Sequence, residues 1–214
     1  MTDILFEHAP GRRSSRYTGD STAFDLLVRY RTARGSVGFV ALELKYSEGM
    51  GEPLAETRPR YDQLSRASGL YGDPDSPSLR RSPLQQLWRE HLLAQSMVEQ
   101  GHYTEGVLVL IGPELNWRVQ RAGELYRAQL AEASPVRVGF ASLTLEQVLV
   151  TLAEAGGPEH ARALHRRYCD FWLVDGEIAL AGASGPEDSQ PDQPRIETSP
   201  VLLLPGPTAT HREA

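Results

Sequence analysis

Glu43 and Lys45 stand two residues apart inside an apolar run that extends from Val37 to Tyr46. Side chains at i and i+2 share one face of a strand, so this carboxylate and this ammonium point the same way. Asp25 lies in an earlier run, Phe24 to Arg31. A hairpin centred near Arg34 sets Asp25 opposite Glu43, and directly opposed side chains have Cβ atoms about 5 Å apart. That spacing suits two carboxylates sharing one cation. The lysine is singular: of 22 basic residues, all but Lys45 are arginine. Arginine serves as a surface charge or phosphate clamp, whereas a compact ammonium on a flexible stem suits a metal-bound water or a reacting phosphate. The competing reading of Glu43 and Lys45 is a salt-bridged pair on an exposed edge strand. Their apolar flanks argue against exposure.

The elements that must hold these residues follow from pattern. Ile4 to His8 reads as a first strand stopped by Ala9-Pro10-Gly11. Phe24 to Arg31 alternates, with Phe24, Leu26, Val28 and Tyr30 on one face and Asp25, Leu27, Arg29 and Arg31 on the other. Val37 to Tyr46 is the near-continuous apolar run of a central strand covered on both faces. Gly49 to Ser82 is a long, partly ordered loop with a short helical piece around Tyr61 to Ser68. Ser82-Pro83-Leu84-Gln85 then predicts an N-cap, a proline at the first helical position and a capping-box glutamine, opening a helix to about Gln100. Gly106 to Ile111 is a buried strand, Trp117 to Ala131 a helix, and Val136 to Phe140 a last strand. Thr144-Leu145-Glu146-Gln147 caps a helix to about Ala155, and Pro158 opens another to Tyr168. The order is βββαβαβαα. Residues 1–174 form one domain on this reading, and 175–214 a disordered, acidic, Pro/Gly-rich tail.

An acidic residue at a strand start, a partner strand carrying Glu-x-Lys and a helix after them resemble the PD-(D/E)XK nuclease superfamily. Tyr17-Thr18-Gly19-Asp20-Ser21-Thr22-Ala23-Phe24-Asp25 and Pro83-Leu84-Gln85-Gln86-Leu87-Trp88-Arg89 are similar to its bacterial restriction-endonuclease-like branch, and the resemblance covers most of Ile4 to Asp170. It implies an α/β restriction-endonuclease-like fold, a mixed central β-sheet flanked by helices. The leading helix usual in that superfamily is missing here. It also implies a Mg²⁺-dependent nuclease hydrolysing DNA phosphodiesters, an endonuclease ahead of an exonuclease, in restriction, repair or phage defence. Asp25, Glu43 and the Leu44 backbone carbonyl would hold Mg²⁺, with Mn²⁺ as a substitute, and Lys45 would orient or help deprotonate the attacking water. Glu7 and Asp20 are accessory ligand candidates, each as readily a surface or turn residue. Gln86 and Arg89, one helical turn apart, either face the site or are solvated.

Two alternatives stand beside this reading: an RNA-cleaving nuclease, and a catalytically inactive nuclease-like module that binds nucleic acid or protein. The net charge of −6 excludes a uniformly basic surface. It leaves room for a local phosphate track from Arg12, Arg13, Arg16, Arg29, Arg31, Arg34, Arg58, Arg60, Arg80 and Arg81. Tyr46, Tyr61, Tyr71 and Trp88 are either base-stacking platforms or core. The six histidines follow no Cys/His metal pattern, and His160 and His165, five apart, read as helix-surface residues. One cysteine, Cys169, rules out a disulfide framework. No phosphate-cradling GxxxxGK[ST] loop, secretory signal or membrane-length apolar run is present, so a cytoplasmic protein is expected. A homodimer or a partner subunit is compatible with the sequence.

Overall fold

The computed structural model describes residues 1–51 and 55–170. The expected acidic tail at 175–214, the boundary drawn before it and the Glu52-Pro53 part of the long loop lie outside the described residues.

β2 (Phe24–Arg31) and β3 (Val37–Leu44) form the hairpin that their alternation demands. The Thr32 N–H donates to the Ser36 carbonyl and the Gly35 N–H to the Thr32 carbonyl, each at 2.9 Å. Gly35 takes a φ of 82°, which suits a residue without Cβ. The ladder pairs Arg31 with Val37, Arg29 with Phe39 and Leu26 with Leu42, so its register centres on Arg34.

β1 (Asp3–His8) is antiparallel to β2, while β4 (Glu105–Gly112) runs parallel to β3 and β5 (Gly139–Thr144) parallel to β4. The five-stranded mixed sheet has the order β1-β2-β3-β4-β5. Parallel neighbours need long crossovers. α1 (Pro59–Ser68) and α2 (Gln85–Glu99) supply the first, and α3 (Trp117–Arg127) the second. α4 (Leu145–Glu154) and α5 (Pro158–Tyr168) follow β5. This is the expected mixed sheet with flanking helices, and among the described residues it opens on β1 with no helix ahead.

α2 organises the core. Its Leu93, Ala94 and Met97 pack with Phe24, Leu27, Phe39, Ala41 and Leu108 of the sheet. Its Leu87, Trp88 and Leu92 pack with Tyr61 and Leu64 of α1 and with Val119, Ala122 and Tyr126 of α3. A fully buried side chain of this size contributes roughly 1.5–3 kcal/mol by leaving water. The helix is enclosed on nearly every side, so its polar Glu90, His91, Gln95 and Ser96 are also buried and need partners within the protein.

Several expectations are corrected. α2 starts at Gln85, with Leu84 at the N-cap and no side-chain cap. The predicted cap groups are claimed elsewhere: Ser82 Oγ donates to the Met50 carbonyl at 2.8 Å, and the Gln85 amide brackets both main-chain groups of Ala55. These long-range bonds tie down the loop and outcompete the local capping box. α3 stops at Arg127, short of Ala131. The last strand is displaced toward its C-terminus because α2 side chains take the backbone of Val138: its N–H donates to Gln95 Oε1, and a ring nitrogen of His91 bonds its carbonyl, each at 2.9 Å. β3 is fully covered on one face only; Phe39, Ala41 and Glu43 are buried, whereas Val40 and Leu42 are half-buried and Leu44 is exposed. The capping box at Thr144 forms with both of its bonds.

Candidate active site

The site grows from the open end of the β2–β3 ladder. One step beyond the Leu26–Leu42 pair, the register brings Asp25 level with Glu43. Asp25 Oδ2 accepts from the Leu44 N–H at 2.8 Å. In an extended strand a residue's N–H and C=O leave along the same edge, so the Leu44 carbonyl lies on the Asp25 side. Beyond β3, the Lys45 N–H donates to the Ile111 carbonyl at 2.9 Å, which keeps the chain against β4. Gly112 permits that approach, since a Cβ there would stand 2.9 Å from the Lys45 carbonyl oxygen.

Glu43 is buried at 3% exposure. Its Oε1 lies 3.2 Å from Lys45 Nζ and accepts from Gln86 Nε2 at 2.6 Å. Burial first, and the Asp25 charge second, push the Glu43 carboxyl up to about 7, with Lys45 and Gln86 offsetting part of the rise. Such a carboxylate lacks positive charge, which a cation would supply.

Gln86 faces this cluster, and its Nε2 also donates to Glu90 Oε1 at 2.8 Å. Glu90 is 2% exposed, and its Oε2 has no hydrogen-bond partner among the described residues. Burial, and then the Glu43 charge, hold its carboxyl well above the ordinary carboxylate range. A cavity of about 350 Å³ opens here, lined by Lys45, Gln86, Arg89 and Glu90 with Ser21 and Ser82.

Asp20 is buried and Arg89 half-buried, but in a separate latch. Arg89 donates to Asp20 Oδ2 at 2.8 Å and to Thr22 Oγ1 at 2.7 Å. Asp20 also accepts from Thr18, Thr22 and Tyr61. Burial raises its carboxyl, yet these hydrogen bonds outweigh that and hold it far below the usual range. With both oxygens occupied, Asp20 is anchored to the loop and to α2 and has little left for a cation. Glu7 sits in β1 at the register level of Asp25, exposed and with a φ of 46°, outside the buried cluster.

The expected phosphate track is partly spent on architecture. Arg58 and Arg60 donate to the Gly19 and Tyr17 carbonyls, and Arg80 pairs with Asp62. Tyr61, Tyr71 and Trp88 are core residues, whereas Tyr46 is exposed. His160 and His165 are exposed, as expected, whereas His91 is buried: one ring nitrogen meets Tyr126 Oη at 3.0 Å, and the other meets Val138.

Glu90 was not among the sequence candidates. Its signal was the i, i+4 spacing from Gln86, which puts both on one helix face.

The donor set is hard oxygen throughout, which fits an alkaline-earth-type divalent cation. Among the described residues no group of three His, Cys, Asp or Glu side chains gathers closely enough to hold a metal alone. A cation at Asp25 and Glu43 would therefore also need a backbone carbonyl, water and substrate oxygens, as Mg²⁺ commonly does. The family model of the PD-(D/E)XK nuclease superfamily matches residues 1–170. The chain belongs to that superfamily. Members of that superfamily are in general nuclease-type hydrolases that act on nucleic acid and use divalent metals. No curated protein and no solved structure matches the chain significantly. Among the described residues no helix is long and apolar enough to cross a membrane.

Proposed function

We propose that this PD-(D/E)XK domain is an endonuclease that hydrolyses DNA phosphodiester bonds with Mg²⁺, for which Mn²⁺ can substitute. The observation that carries the reading is the convergence of Asp25, Glu43 and Lys45 at the end of β3, with Lys45 Nζ 3.2 Å from the buried Glu43 carboxylate. Asp25, Glu43 and the Leu44 carbonyl would hold the cation. Bound there, Mg²⁺ would supply an acidified water and neutralise charge on the phosphate.

The remaining work falls to the chain. Gln86 fixes the rotamer of Glu43 by occupying one lone pair of Oε1. The Lys45 ammonium lies on the same face, orients the attacking water and offsets negative charge as the pentacoordinate phosphorus forms. The cavity beside Lys45 admits the nucleotide next to the scissile bond, and the half-buried Lys45 environment strengthens its electrostatic effect over that in bulk water. DNA defence or repair is the setting in which such a metal-dependent cut is used, and a soluble cytoplasmic enzyme acting on DNA fits it.

The test incubates purified protein with supercoiled plasmid, linear duplex, single-stranded DNA and RNA, in Mg²⁺, Mn²⁺ or EDTA, beside Asp25→Ala and Glu43→Ala. The reading expects nicking or linearisation of plasmid that EDTA and both substitutions abolish. Cleavage confined to RNA replaces the DNA assignment, dependence on free ends replaces the endonuclease assignment, and metal-dependent cutting that survives both substitutions removes the site.

A further inference from the structure

We propose that Glu90 is a positioning residue that acts through Gln86, holding its carboxamide with the NH₂ group toward Glu43; the proposal rests on the nuclease reading above. The geometry supplies the reason. A carboxamide can turn over, presenting oxygen where nitrogen stood, and oxygen facing Glu43 Oε1 would repel it. Gln86 has two amide protons, and the structure gives each a carboxylate: Glu43 Oε1 at 2.6 Å and Glu90 Oε1 at 2.8 Å. With acceptors on both sides of the nitrogen, the turned-over amide would lose two hydrogen bonds at once. Glu90 thus selects the orientation in which Gln86 can grip the metal-binding carboxylate.

Glu90 is an unfavourable residue for stability where it stands. It is 2% exposed, on a helix whose Leu87, Leu92 and Leu93 are also buried, and its Oε2 has no hydrogen-bond partner among the described residues. A buried carboxyl oxygen without a hydrogen bond costs stability, and an apolar side chain of similar volume would avoid that cost. Packing therefore does not account for the residue. Its place on the cavity wall with Lys45 and Gln86 does.

Glu90→Leu and Glu90→Gln separate the possibilities. Leucine removes the acceptor; glutamine retains a side-chain oxygen for the Gln86 NH₂. Calorimetric titration with Mn²⁺ alone, plasmid cleavage, the thermal midpoint and hydrogen exchange of the Gln86 side-chain amide are read for each. Outer partners of metal ligands typically contribute about 10- to 100-fold in metal affinity or activity. We expect Glu90→Leu to weaken Mn²⁺ binding and cleavage by at least about tenfold, to speed Gln86 amide exchange, and to keep or raise the thermal midpoint. Glu90→Gln should restore most of the Mn²⁺ affinity and the slow exchange.

Equal losses in the two variants would mean that the Glu90 charge itself is used, which overturns positioning. Glu90→Leu with wild-type affinity and exchange also overturns it, as does a fall in thermal midpoint with Mn²⁺ affinity unchanged. These failures are distinct from failure of the nuclease reading. That failure appears as wild-type protein which neither binds Mn²⁺ nor cuts nucleic acid, and it removes the proposal's footing as well, whatever Gln86 exchange shows.

Discussion

Gln86 on α2 reaches across to Glu43 on β3, donating from Nε2 to Oε1 at 2.6 Å. The bond couples the central helix to the strand that carries both Glu43 and Lys45, so packing of α2 sets the geometry of the carboxylate. Gln86→Leu keeps the side chain near its present volume but removes the donor. The expected result is a loss of about 10- to 100-fold in Mn²⁺ affinity and in cleavage, with circular dichroism unchanged. Gln86→Glu should do worse, because a third carboxylate would face Glu43 and Glu90. Unaltered metal affinity in Gln86→Leu would show that the bond does nothing for the cation.

Lys45 is 12% exposed and lies beside Glu43. Lys45→Met removes the ammonium without changing the metal carboxylates. Because a positioned acid or base commonly contributes about 10²–10⁴-fold, kcat should fall by at least about 100-fold while Mn²⁺ still binds. Lys45→Arg should not recover the rate, since a planar guanidinium neither fits the compact site nor gives up a proton. Single-turnover cleavage at saturating Mn²⁺ measures this, and a Lys45→Arg variant within about tenfold of wild type would remove the water-activating role.

The β2–β3 register was legible because side-chain period two leaves few choices once a turn is centred, and Asp25, Glu43 and Lys45 fall on one face as a result. The fate of the long-range polar residues was not. Gln86 and Arg89 look alike in sequence, yet one meets Glu43 and the other meets Asp20, because the rotation of α2 is fixed by packing of its Trp88, Leu92 and Met97 against residues distant in sequence. Glu90 escaped notice because a charge between leucines reads as the solvated side of an amphipathic helix, and α2 has almost no such side. The start of α2 and the position of β5 were misread for a related reason: Ser82, Gln85 and Val138 make their hydrogen bonds to segments distant in sequence, which local capping and propensity do not register.

The latch of Asp20 with Arg89, Thr18, Thr22 and Tyr61 predicts a structural phenotype. Removing one member of a fully buried ion pair typically costs about 3–5 kcal/mol, and Asp20→Asn should cost less than that range because Arg89 is only half-buried and the neutral side chain still meets several hydroxyl donors. A depressed carboxyl contributes stability above its unfolded value and loses it as pH falls toward the folded one. The wild type should therefore lose stability on acidification more steeply than Asp20→Asn. Urea melts at several pH values test both effects. If Asp20→Asn instead keeps full stability and loses Mn²⁺ affinity, Asp20 belongs among the cation's ligands.

His91 provides a separate pH signature within the core. Burial lowers its imidazole to about 4, against the opposing effect of its bond to the Val138 carbonyl. The ordinary value near 6.5 applies to the unfolded chain. Above that pH neither state carries the proton, and stability from this group is fully present. As pH falls from 6.5 toward 4, the unfolded chain takes up a proton that the folded chain refuses, so stability declines; below the folded value the decline from this group ends. The separation corresponds to about 3 kcal/mol. His91→Gln cannot titrate, although it is expected to be less stable at neutral pH because Tyr126 and Val138 lose part of their bonding. The decisive quantity is the difference in slope between the two proteins, measured by urea denaturation from pH 7 to pH 4, which cancels the carboxylates common to both. Parallel curves would mean that His91 is protonated in the folded protein as readily as in the unfolded chain.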